Sequence, residues 1–121
     1  MKKVIKTMSG SSFAPRVNAI KNEIKKGREC ICEFQCTDVR SAVNRALELL
    51  NVLQDCKDLS ENERNVCSGL FLDIHNLLDD MHTFVKLVEL DNISFEKCKP
   101  LIPEWMLESA IRFNAMQLAR G

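Results

Sequence analysis

Two groups of side chains in this sequence have residue types that chemistry can use. Cys30, Cys32 and Cys36 form a CxC followed closely by a third cysteine. Three thiolates and a fourth ligand, taken from Cys56, Cys67, Cys98 or a histidine, make a tetrahedral zinc site when a fold brings them together. Recognised zinc modules usually pair two knuckles, and here there is no second one. Strand alternation explains the spacing without a metal, because every second residue turns inward and cysteine is among the most buried residue types. A CxC on one extended strand is also poorly placed to close a relaxed disulfide. The expectation is therefore reduced, buried thiols with no metal and no cofactor. Cys30, Cys32 and Cys36 remain the candidates for the rival reading, a cysteine-ligated metal or redox domain.

His75, Asp79 and His82 form the second group. Two imidazoles and a carboxylate can hold a transition metal or exchange protons. On a helix, however, a step of seven separates the histidines by about 10 Å along the axis, too far to share one ion easily. Their stripe falls at the border between apolar and polar arcs, an ordinary place for an amphipathic histidine. No serine stands in a nucleophile elbow, no GxGxxG or P-loop occurs, and four glycines leave little material for a phosphate cradle. Catalysis has no support in the sequence, and no catalytic residue is assigned.

The end of the chain carries a different signal. From Glu104 to Arg120, Leu107, Ile111, Ala115 and Leu118 read as an inward helical stripe, while Trp105, Met106, Phe113 and Met116 occupy a second apolar arc about half a turn away. A helix apolar on two sides is either enclosed by its own fold or meets another chain. Tryptophan, phenylalanine and methionine are enriched in interface cores. Trp105, Met106, Phe113 and Met116 are accordingly the candidate partner-binding residues, for another protein or for a second copy in a homodimer.

The elements that must position these residues follow from periodicity. Ser60 and Glu63 are spaced as a capping box, and Val66, Leu70, Ile74, Leu77, Met81, Phe84 and Val88, with Cys67, Phe71, Leu78 and Val85 widening the stripe, continue the pattern as one long helix to about Leu90. Gly69, Leu72 and Leu87 fall on its polar side. A preceding helix, capped by Thr37 and running through Val39, Ala42, Val43, Ala46, Leu47, Leu49, Leu50 and Leu53, is joined to it by Lys57 to Leu59, which predicts an antiparallel helical hairpin. Phe13, Val17, Ile20 and Ile24 predict a modest first helix stopped by Gly27, with Lys21, Lys25, Lys26 and Arg28 complementing its C-terminal dipole. Arg28 to Gln35 then reads as a short strand, because Cys30, Cys32, Phe34 and Cys36 alternate. Its only in-chain partner is Lys2 to Met8, giving an N-terminal β-ribbon; the competing reading carries the first helix on through Gly27 to Phe34. Ser94 caps a short turn that prolines 100 and 103 end.

Length and charge set the remaining bounds. The 121 residues support one domain, read as a flexible segment or edge strand over 1–12 and a single helical domain over 13–121. The fold class is mainly α: a small bundle of three to four helices built on the hairpin, with room for the short ribbon. Seventeen basic residues balance seventeen acidic ones, so no net field recruits nucleic acid or an anionic membrane. No apolar run reaches the length of a membrane span, which makes the cytoplasm the expected location. These features describe a non-catalytic helical interaction module, acting as an adaptor, inhibitor, immunity or regulatory factor.

Overall fold

The structure, a computed structural model, describes residues 10–120. Among these residues five α-helices follow one another: α1 (Gly10–Cys32), α2 (Cys36–Gln54), α3 (Glu61–Val88), α4 (Asn92–Cys98) and α5 (Glu104–Arg120), with a 3₁₀ turn at Lys99–Leu101. No strand occurs among the described residues. The helices α1, α2 and α3 pack pairwise, α5 lies against α3 and α1, and α4 covers part of α3. None of the helices is long and apolar enough to cross a membrane.

The helix α1 is built on a single seam. Phe13, Val17, Ile20, Ile24 and Ile31 are buried at steps of three and four, and Gly27 fills the one missing step. A Cβ at Gly27 would overlap the Leu77 methyl Cδ2 of α3. Gly27 therefore sits where α1 and α3 come closest, and the helix runs on for another turn and a half. The expected strand from Arg28 to Gln35 is thus helix as far as Cys32 and then a turn. Burial of Ile31 and the close approach at Gly27 outweigh the local alternation, and the ribbon loses its second strand. The segment Lys2 to Met8 lies outside the described residues, whereas residues 10–12, expected before the domain begins, already belong to α1.

The end of α1 is closed without a glycine. The Gln35 N–H donates to the Cys30 carbonyl at 2.8 Å and the Phe34 N–H to the Ile31 carbonyl at 2.9 Å, the paired bonds of a Schellman motif. Phe34 takes the left-handed position, with φ 59°. Such a conformation costs a non-glycine residue about 1–2 kcal/mol. The ring it aims inward packs against Phe84 and Phe113, at centroid distances of 6.1 and 5.4 Å, which offsets that cost. Because α1 ends at Cys32, Lys21, Lys25, Lys26 and Arg28 are in its body, with no basic residue in the last turn, so they do not complement its dipole.

Capping chemistry defines the other boundaries. At Ser60 the capping box is complete: the Glu63 N–H donates to Ser60 Oγ at 3.1 Å and the Ser60 N–H to Glu63 Oε1 at 2.8 Å. Cys67, Leu70, Ile74, Leu77, Met81, Phe84 and Val88 are buried below it, while Leu78 and Val85 are half-buried and Val66 and Phe71, at the edge of the stripe, are exposed. Leu87, expected on the polar side, is buried. It lies near the C-terminal end of α3, where the Asn114 amide of α5 donates to its carbonyl. Asp91, not Ser94, caps α4, its Oδ1 accepting from the Ser94 N–H at 2.8 Å. Likewise Gln35, without a side-chain bond, stands at the start of α2, so Thr37 is already inside the helix.

The helix α5 is turned away from its expected face. Met106, Ala110 and Asn114 are buried, whereas Ile111 and Leu118 are 40% and 42% exposed. The reason is directional bonding. Asn114 Nδ2 donates to the carbonyls of Leu90 at 2.9 Å, Val88 at 3.2 Å and Leu87 at 3.5 Å. Leu87 and Val88 close the last turn of α3, where a helix leaves its carbonyls short of intrahelical partners, and Leu90 follows just beyond it. Satisfying them brings Asn114 inward and rotates Ile111, Ala115 and Leu118 toward solvent, while Leu107 stays half-buried against the core.

Candidate functional site

The strongest gathering of interaction-prone side chains lies where the C-terminal end of α1 meets α5. Cys32 Sγ contacts the Trp105 carbonyl at 3.4 Å. One turn earlier on α1, the Arg28 guanidinium stands 5.7 Å from the centre of the Trp105 ring, a cation–π arrangement. Arg112 of α5 donates to the Cys32 carbonyl at 3.1 Å, pairs with Glu33 at 3.6 Å and lies 4.6 Å over the Phe113 ring. Phe34, Phe84 and Phe113 form an aromatic floor beneath, with Phe84 and Phe113 edge to face at 6.1 Å. Above it, Phe34, Phe113, Met116, Gln117 and Arg120 line a pocket of about 70 Å³.

The four residues singled out by their arc separate in this arrangement. Met106 is in the core and Phe113 is half-buried in the aromatic floor, while Trp105 and Met116 are 37% and 48% exposed. Trp105, Arg112 and Met116 share one flank of α5, and Ile111 and Leu118 form another, exposed one. Asp80, half-buried on α3, feels the same junction. Burial pushes its carboxyl above the usual carboxylate range, the Arg28 guanidinium pulls it down, and the neighbouring Asp79 pushes it up.

Neither of the chemical groupings assembles into a centre. Among the described residues no set of three or more His, Cys, Asp or Glu side chains is placed to hold a metal ion. Cys30 and Cys32 lie two positions apart on a helical turn, not on one face of a strand, so about 200° separates them. Burial, then Asp38 and Glu29, push the Cys30 thiol up, with Arg45 opposing, and burial and Glu63 do the same to Cys67. A raised thiol carries little thiolate, the form that attacks electrophiles and binds metals. His75 and His82 are both exposed, and His75 packs edge-on against Phe71 at 4.4 Å. A wider groove of about 480 Å³ runs between α1 and α2, lined by Pro15, Arg16, Ala19, Leu49 and Val52.

Arg28, Phe34 and Arg112 have no signature in the sequence, because their partners are brought in from far along the chain. Arg112 and Cys32 are separated by 80 positions. Only the crowding of Trp105, Phe113 and Met116 into one helix pointed to this end of the molecule. Compared with known protein families, with curated proteins and with solved structures, the chain matches none.

Proposed function

We propose that the chain is a non-catalytic helical interaction module that binds another protein through the Trp105–Met116 flank of α5, working in the cytoplasm. One observation carries the reading: Trp105 and Met116 stand exposed on a helix whose inner side is anchored by Met106, Ala110 and Asn114. Tryptophan and methionine are residue types enriched at interface cores, and an anchored helix loses little conformational freedom on binding. Arg112 between them supplies a charge that already touches Glu33, in keeping with a polar rim around apolar anchors. In this reading the α2–α3 hairpin is scaffold, and the aromatic floor under Phe34 keeps the flank in place.

The test is differential capture from the source cell with mass spectrometry. The wild type is compared with a Trp105→Ala/Met116→Glu variant and with Leu72→Asp, which changes an exposed leucine on α3. The expected result is a protein retained by the wild type and by Leu72→Asp and lost with the double variant. Equal retention by all three removes the flank from the interface. Each variant is first shown to be folded by circular dichroism.

A further inference from the structure

Three basic residues of α1 have no partner in the fold, and we infer that, with Arg120, they select what the Trp105 flank binds: an acidic amphipathic helix of another protein. The inference rests on the reading of that flank as an interface and adds the chemistry of its occupant. Trp105, Ser109, Arg112, Met116 and Arg120 follow at steps of four, three, four and four, and they fall within about 80° on α5. Such a row is the ridge that one helix packs against another. None of the five is acidic, Ser109 is small enough for close approach, and the ridge is about 22 Å long at 1.5 Å per residue. On α1, Lys21, Lys25 and Arg28 lie within about 60° of one another. Arg28, over the Trp105 ring, brings their edge up to the start of the ridge.

Charge identifies the occupant. Lys21, Lys25, Arg28 and Arg120 are exposed, and none of them makes an ion pair with a described residue. Arg112 is held by Glu33 and the Cys32 carbonyl and is not counted. The helix dipole accounts for none of the three α1 residues, because no basic residue stands in the last turn of α1. Arg120 does stand in the last turn of α5, but favouring the dipole leaves its guanidinium donors open to a carboxylate. The nearby acids do not cancel this edge: Glu33 is engaged by Arg112, Asp80 is half-buried, and Glu108 lies about 60° from Trp105 on the side away from Met116. The ridge therefore has open cations at both ends and apolar Trp105 and Met116 between them. A helix with an apolar stripe at steps of three and four, flanked by carboxylates, complements it in both respects. A second copy paired about a two-fold axis would meet these cations with the same cations. Apolar anchors between the charges, on a chain with seventeen basic and seventeen acidic residues, favour such a helix over a phosphate backbone.

The test is selection of phage-displayed random peptides of about sixteen residues, some four helical turns, against the full chain. Synthetic winners lacking tryptophan are then titrated and read by the emission of Trp105, the one tryptophan of the chain. The winners are expected to carry more acid than base, with apolar residues at steps of three and four. Their binding should weaken about tenfold in Arg28→Glu/Arg120→Glu, about threefold in Arg120→Glu alone, and further as salt is raised from about 50 mM to about 500 mM. Arg120→Glu changes an exposed side chain in the last turn, so that arm stands even if the double variant does not fold. A selection that yields no binder overturns the inference, as do neutral or basic winners, or acidic winners that bind both variants as tightly as the wild type. A single-stranded oligonucleotide bound more tightly than the best winner assigns the cations to nucleic acid and also overturns it. A protein captured through Trp105 and Met116 yet retained by Arg28→Glu/Arg120→Glu overturns this inference and leaves the flank an interface.

Discussion

Two helices of this molecule, α3 and α5, are held by different forces. Over its 28 residues α3 buries Cys67, Leu70, Ile74, Leu77, Met81, Phe84, Leu87 and Val88, a seam that contributes by area. In contrast, α5 buries only Met106, Ala110 and Asn114 over 17 residues, and one of the three is an amide with three carbonyl partners. Apolar burial is non-directional, so a long seam fixes its helix by accumulation. A short helix with apolar residues on several sides has no such preference, and hydrogen bonds decide its rotation. That rotation leaves Trp105, Ile111, Met116 and Leu118 outside, which is how α5 comes to carry the proposed surface.

The most damaging way to break this contrast is Asn114→Asp. At neutral pH it sets a carboxylate against the carbonyls of Leu87, Val88 and Leu90, where it accepts nothing in return, and the expected loss is about 3–5 kcal/mol in urea denaturation. The burial that harms the carboxylate also raises its folded pKa, so the deficit should shrink as pH falls toward the unfolded value. Asn114→Leu removes the donor without adding charge and should cost about 1–3 kcal/mol. A loss below about half a kcal/mol for either variant, a level typical of surface changes, would show that α5 is oriented by its apolar contacts alone.

The seam of α3 is tested by Leu77→Ala, expected to cost about 2–5 kcal/mol because Leu77 is fully buried. Its neighbour sharpens the result. Gly27→Ala gains helix propensity of up to about 1 kcal/mol but meets the Leu77 methyl, and overpacking should make it a net loss of about 1–3 kcal/mol. In the Leu77→Ala background that methyl is gone, and Gly27→Ala should become neutral or stabilising. Additive costs in the double-mutant cycle would mean that Gly27 does not set the approach of α1 to α3.

Smallest are the pH effects, which act in opposite directions at Asp80 of α3 and at Asp91, the cap of α4. Asp80 has a raised folded pKa from burial, so its contribution is full below the unfolded value and is lost as pH rises through the folded one. Asp91 has a lowered folded pKa because its carboxylate accepts from Ser94, so its contribution is present above the unfolded value and is lost on acidification. Asp80→Asn should therefore gain on the wild type as pH rises, and Asp91→Ala should lose least in acid. Stability measured between pH 3 and 7 that moves the other way for either variant contradicts the assigned cause.

Residues 60–88 were the most legible stretch, because the Ser60–Glu63 box and the repeating apolar steps both act within the helix that contains them. The end of α1 was the least. Gly27 carries the propensity of a helix stop, and Cys30, Cys32 and Phe34 alternate as a strand would, yet the chain there is a helix closed by a phenylalanine at φ 59°. Neither the methyl of Leu77 nor the rings of Phe84 and Phe113 are near in sequence, and they outweigh the local preference. Of the arc from Trp105 to Met116, Trp105 and Met116 reach the surface and Met106 does not, because the partner that rotates α5 is a set of carbonyls on another helix.

By itself, then, the sequence determined what local physics can decide: a mainly helical chain, the long capped α3 with most of its stripe buried, and most of the apolar positions of α1 and α2, Leu49 being exposed. Each of these depends on residues within a few turns of one another, where backbone geometry fixes who meets whom. Tertiary structure alone decided the continuation of α1 past Gly27, the left-handed Phe34, the inward turn of Asn114 and the exposure of Ile111 and Leu118. Those outcomes depend on contacts between segments tens of residues apart, whose energies of about one to a few kcal/mol exceed the differences in intrinsic propensity that local pattern can read.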